Sequence, residues 1–138
     1  MKNYIILFFL FGCSSFQERG KIQSGACQSY YDKKLKIKIF HNVDERAEFP
    51  EGFGKEYLFF AKRMKYPDQD NFQGSIKGSF IVDKDGAIIS PRIEGKKEED
   101  YTPLDLEFIR VSLLMPKWRP AKCNGKNVAT RVIAPIRF

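Results

Sequence analysis

The sequence predicts an α+β fold: a small antiparallel β-sheet with two helices packed on one face, in the order β-α-β-β-α-β. Three observations carry this expectation. Apolar residues alternate with polar ones over short runs within residues 34–42, 74–95 and 127–138, as half-buried strands require. Between those runs, residues 49–67 and 102–116 place apolar side chains at helical spacing, each near prolines. Composition supplies a core: 43% of the 138 residues are hydrophobic and 13 are phenylalanine. Disordered chains lack that stock of aromatic and β-branched residues, and the length suits one domain.

In "KLKIKIFHN" (34–42), Leu35, Ile37 and Ile39 face one way and Lys34, Lys36 and Lys38 the other. In "FPEGFGKEYLFFAKRMKYP" (49–67) the period changes. Phe53, Tyr57, Phe60, Ala61 and Met64 form a helical stripe between Pro50 and Pro67. "GSIKGSFIVDKDGAIISPRIEG" (74–95) holds two strands joined by a turn at Asp83–Gly86, where glycine suits a positive φ. Ile76, Gly78, Phe80 and Val82 share one face, and Ile89 and Ile93 share a face of the return strand. Pro91 donates no hydrogen bond, so it belongs at an edge or a bulge.

The second helix has Thr102 as its cap, Pro103 at its first position and Asp105 near the positive end of its dipole. Leu104, Phe108, Val111 and Met115 line its inner face, widened by Leu106, Ile109 and Leu113. Pro116 ends it, Trp118 anchors the exit against the sheet, and Asn124-Gly125 turns the chain into the last strand. There Val128, Val132, Ala134, Ile136 and Phe138 alternate with Ala129, Arg131, Pro135 and Arg137.

The first residues, "MKNYIILFFLFGCSS", combine a lysine with an apolar run from Tyr4 to Phe11. The run is too short to span a membrane, which takes about 20 apolar residues. "LFGC" resembles a lipobox, which implies removal of residues 1–12 and acylation of Cys13. Acyl chains contribute about 0.8 kcal/mol per buried CH₂, so the expectation is a protein anchored to a membrane, in the periplasm. Ser14 follows the cysteine, and by the common sorting rule that points to the outer membrane. Residues 13–29 read as a lipid-anchored tether and 30–138 as the folded domain. Cys27 and Cys123 are left, and an oxidising compartment permits one disulfide; the sequence leaves that pairing open. With a lone His41 they have no metal-ligand spacing, so no metal and no cofactor is expected.

The formal net charge of +7 suits anionic surfaces, but no aromatic-and-basic cluster forms a nucleic-acid module, so no nucleic acid is expected. No nucleophile stands with a base, and Ser90, Asp105 and His41 are scattered singly, so the chain does not read as an enzyme.

Several motifs carry a family resemblance. "MPKWRPAKCNGKNV…IAPIRF" resembles the end of the TonB C-terminal domain, in the form "MPKWKPG…NGKPV…LPIRF". "FPEG" (49–52) resembles its "FPGG", and "KYPDQDNFQGSIKGSFIVDKDGAI" (65–88) its "KYP…GIQGxVxVxFVVDKDGxI". These motifs span residues 44–138 in the family's order. The resemblance implies a periplasmic domain that binds the TonB box of outer-membrane receptors, the peptide adding as a strand beside the final strand. It implies residues 128–137 as the binding edge, with Val132, Ile133, Ala134 and Ile136 in contact and Arg131 and Arg137 flanking. The partner expected is thus a TonB-dependent receptor or another envelope protein. Without a spanning helix or a proline-rich spacer in this sequence, binding is expected rather than energy transduction. The competing expectation is a structural envelope lipoprotein that self-associates through the same edge, as a homodimer.

Overall fold

A computed structural model describes residues 26–66 and 74–138. The leader 1–12, Cys13, the tether as far as residue 25, and Pro67 lie outside the described residues. The fold is α+β. Strands β1 (Gln28–Asp32) and β2 (Ile37–Asn42) precede helix α1 (Lys55–Arg63). Strands β3 (Ser75–Val82) and β4 (Ile88–Ile93) follow, then a short 3-10 turn at Glu98–Asp100 and helix α2 (Pro103–Leu113). Strands β5 (Ala121–Cys123) and β6 (Lys126–Arg137) complete the chain.

The sheet runs β1-β2-β6-β3-β4, with β5 also paired to β6. Two expectations need correction. The sheet is mixed rather than antiparallel: β2 meets β6 in parallel at Ile39–Ala129 and Phe40–Thr130. The final strand also lies inside the strand order, not at its edge. Period-two patterning says which face of a strand is buried but nothing about its direction or neighbours, and β2 and β6 are too far apart in sequence for a turn to fix either.

Strand β3 pairs with β6 from Ser75–Arg137 to Val82–Thr130, and this pair forms the middle of the sheet. Ile76, Phe80 and Val82 of β3 and Ala134 and Ile136 of β6 face the helices, in one cluster with Phe60, Leu104, Phe108, Val111 and Met115. The rings of Phe60 and Phe108 stack with centroids 5.0 Å apart, joining α1 to α2. Trp118 stands edge-on between Phe49 and Phe80, at 5.6 and 5.2 Å, which ties the exit from α2 to the sheet as its placement predicts. On the opposite face Ile39, Ile81 and Ala129 form a smaller cluster with Leu35, Ile37 and Ile89.

Ile89 and Ile93 therefore lie on opposite faces, against expectation. The β3–β4 register shifts between Ser79 and Ile81, so β4 carries an extra residue there, and Ser90 has φ 48°. A bulge reverses the alternation beyond it, and Pro91 sits within it, where a missing N–H costs least.

Helix α2 begins as the sequence predicts. The Asp105 N–H donates to Thr102 Oγ1 at 3.2 Å, and the Thr102 N–H donates to Asp105 Oδ2 at 2.9 Å, a reciprocal capping box. Lys96 Nζ lies 2.6 Å from the same Oδ2. Burial pushes the Asp105 carboxyl up, but its bonds from Lys96 and Thr102 outweigh burial and hold it below its ordinary range. Leu106 and Leu113 are exposed and do not widen the inner face.

Helix α1 is shorter than predicted. Gly52 and Gly54 have φ of 110° and 79°, which keeps residues 49–54 out of the helix. Phe53 and Tyr57 consequently point to solvent, whereas Phe60 and Met64 reach the core. The end of α1 is clamped to α2: Glu107 Oε2 accepts the Lys65 N–H at 2.8 Å, and Arg110 Nη2 donates to the Arg63 carbonyl at 2.9 Å.

Candidate functional site

Strand β6 is flanked unevenly. Thr130 is paired to both Phe40 of β2 and Val82 of β3, so those strands occupy opposite flanks of β6. The β3 flank is paired as far as Arg137. Among the described residues, β2 pairs with its flank of β6 at Ala129 and Thr130 alone. The N–H of Phe138 donates to Gly74 at 3.0 Å, next to the β3 register. In an antiparallel ladder such groups alternate sides, so Val132, Ala134 and Ile136 direct their backbone groups to β3. Ile133, Pro135 and Arg137 direct theirs away from it, where no strand of the described residues pairs with them. Pro135 offers a carbonyl but no donor there.

This geometry sorts the residues of the sequence-predicted edge. Val128, Ala129 and Thr130 are already paired on the flanks that β5 or β2 occupy. The side chains of Ala134 and Ile136 are buried in the core, whereas Val132 packs against it half-buried and also lines the groove described below. Ile133 is 53% exposed. Arg137 is exposed and, among the described residues, in no ion pair. Arg131 is held on the sheet face away from the helices, its Nη1 donating to Ser79 Oγ at 3.1 Å. Ser79 Oγ donates in turn to Glu94, which also pairs with Arg92 at 2.9 Å. The hydrogen bonds from Arg92 and then Ser79 lower the Glu94 pKa against the opposing effect of burial.

Beside the open flank lies a groove of about 740 Å³. Its walls are β6 from Thr130 to Ile133, the connection from Val43 to Phe49, Phe53 just before α1, and Glu56 and Tyr57 at the start of α1. The connection is fixed in place because Asp44 and Glu45 donate their N–H groups to Lys122 and Glu48 donates to Arg119. Glu48 also pairs with Arg119 through a 2.7 Å salt bridge. Groove and open flank meet at Ile133.

Sequence reasoning did not find the α1 side of this groove. The helical spacing puts Phe53 and Tyr57 on the apolar stripe and leaves Glu56 off it, among the polar residues. The signal available was "EGFG": two glycines around one phenylalanine let the backbone turn that ring outward.

Cys27 and Cys123 are joined in a disulfide, with Cα atoms 6.2 Å apart. Asp44 lies beside them, and its Oδ2 accepts the Asn124 N–H at 2.7 Å. Both sulfurs are committed to each other, which leaves that trio no thiolate to offer a metal. Comparison with protein-family models, with curated proteins and with solved structures finds no match for this chain.

Proposed function

We propose that this chain is a lipid-anchored binding module of the periplasm, which captures extended segments of outer-membrane receptors by β-strand addition. The observation that carries this reading is the flank of β6 from Ile133 to Arg137, which no strand of the described residues pairs and which opens onto a groove. A flank of unpaired backbone groups is a template for an incoming strand, and main-chain pairing requires no particular side chain. The motif resemblance to the TonB C-terminal domain supports the same reading and suggests TonB-box-type peptides as ligands. The interior position of β6 narrows the site: the strand adds at Ile133–Arg137 rather than along the whole of residues 128–137. The lipobox-like "LFGC" supports acylation at Cys13, most simply holding the module at the outer membrane.

The binding step is tested by titrating the full-length chain in detergent with a fluorescent TonB-box-type peptide and with its N-methylated counterpart. Methyl groups on alternate amides remove the ladder donors and leave the side chains intact. Saturable binding of the first and none of the second is expected; equal binding of both, or of neither, contradicts strand addition. The anchor is tested separately, since Cys13→Ser is expected to abolish incorporation of labelled fatty acid. Persistent labelling of that variant rules out the anchor.

A further inference from the structure

The groove holds a buried carboxylate that pairs with no cation among the described residues. Glu56 is only 9% exposed and lines the groove. Among the described residues it makes no hydrogen bond and no ion pair. Burying an ionised carboxylate without a partner is unfavourable, and the first turn of α1 offers only the partial positive charge of a helix terminus. Two aromatic side chains of the same segment, Phe53 at 89% and Tyr57 at 39% exposed, stand at the groove beside it.

The surrounding charges sharpen the point. Glu45, Glu48 and Glu56 line the groove against Arg46 and Arg131. Glu48 is already paired with Arg119, and Arg131 is bonded to Ser79 on the other face of the sheet. Arg46 is exposed and joins no ion pair among the described residues. Acids and arginines of the lining are thus close to balanced in number, yet among the described residues neither arginine pairs with Glu56.

We infer that Glu56 is a specificity-determining residue of the groove, selecting extended peptides that present a lysine or arginine side chain to it. The inference rests on the groove being a receptor for an added strand. A basic side chain reaching in from such a strand lays its aliphatic stem and cationic head against Phe53 and Tyr57 and sets its charge on the Glu56 carboxylate. The cation supplies the partner Glu56 lacks, and a charge-assisted hydrogen bond is stronger than a neutral one. An acidic side chain at the same place is repelled.

The test uses the full-length chain in detergent and capped peptides of sequence Thr-Val-Thr-X-Thr-Val-Thr. X is lysine, norleucine or glutamate, and the variable residue is also shifted one place to either side. Fluorescence anisotropy gives each affinity. The lysine peptide is expected to bind about tenfold or more tightly than norleucine in at least one register, with glutamate weakest. That ratio is expected to collapse in Glu56→Gln, a nearly isosteric change. Norleucine binding as well as lysine in every register, or a lysine preference surviving in Glu56→Gln, overturns the inference but leaves strand addition standing. Failure of every peptide to bind overturns both.

Discussion

Gly78 shows how a single missing side chain sets the distance between helix and sheet. It lies in the middle of β3, and a Cβ built on it would fall 2.1 Å from Cζ of Phe108 on α2. The ring therefore rests directly on the strand backbone. Gly78→Ala must displace a fully buried phenylalanine stacked on Phe60, so it is expected to cost roughly 2–3 kcal/mol. Urea unfolding checks this: the midpoint should fall with little change in slope, and an unchanged midpoint would mean that the ring has room to move. The sequence made the inward face of β3 legible, including Gly78, because alternation is enough to assign it. Glu56 was illegible for the opposite reason. An acid in the first turn of a helix looks like an exposed residue favoured by the dipole, whereas this one is buried at the wall of a groove assembled from distant segments.

At the scale of elements, α1 and α2 are held together by polar groups as well as by the Phe60–Phe108 stack. Glu107 takes Arg110 through its side chain and the end of α1 through the Lys65 N–H. Those bonds, Arg110 first and Lys65 second, hold its carboxyl down at about 2, against an ordinary 4.5. The unfolded chain thus takes up this proton more readily than the folded one. The stability from Glu107 is complete above about pH 4.5 and fades as pH falls towards 2. Glu107→Gln is expected to lower Tm by no more than about 5 °C at neutral pH. Melting both proteins across an acid series should show that gap closing between pH 4.5 and 2. A gap that is constant with pH would assign the clamp to uncharged contacts instead.

The elements themselves were unevenly legible. Helix α2 is marked by Thr102, Pro103, Asp105 and a clean inner stripe, and it forms where these place it. Strand β1 was read partly as tether, because four of its five residues are exposed and leave no alternation to find. Strand β5 has three residues, fewer than a period can reveal. The β4 bulge inverted Ile89 because nothing local announces that Ser90 adopts a positive φ.

At the scale of the whole molecule, the strand order decides what this protein can do, and that order is what the sequence hides most. The pairing of β2 with β6 joins residues about 90 apart, as the bond from Thr130 Oγ1 to the Phe40 carbonyl illustrates. The Cys27–Cys123 disulfide, with a separation of 96 residues, ties the start of β1 to the β5–β6 hairpin and holds the same end of the sheet. Together they close one part of the β6 flank and leave the rest open. That division is visible to amide hydrogen exchange, followed residue by residue in the free chain and with a bound TonB-box-type peptide. The amides of Val132, Ala134 and Ile136 should be protected in both states, because β3 already holds them. The amides of Ile133 and Arg137 should exchange fast in the free chain and become protected only in the complex. Protection of Ile133 and Arg137 without peptide, or no gain on its addition, would mean that β6 has no flank to lend.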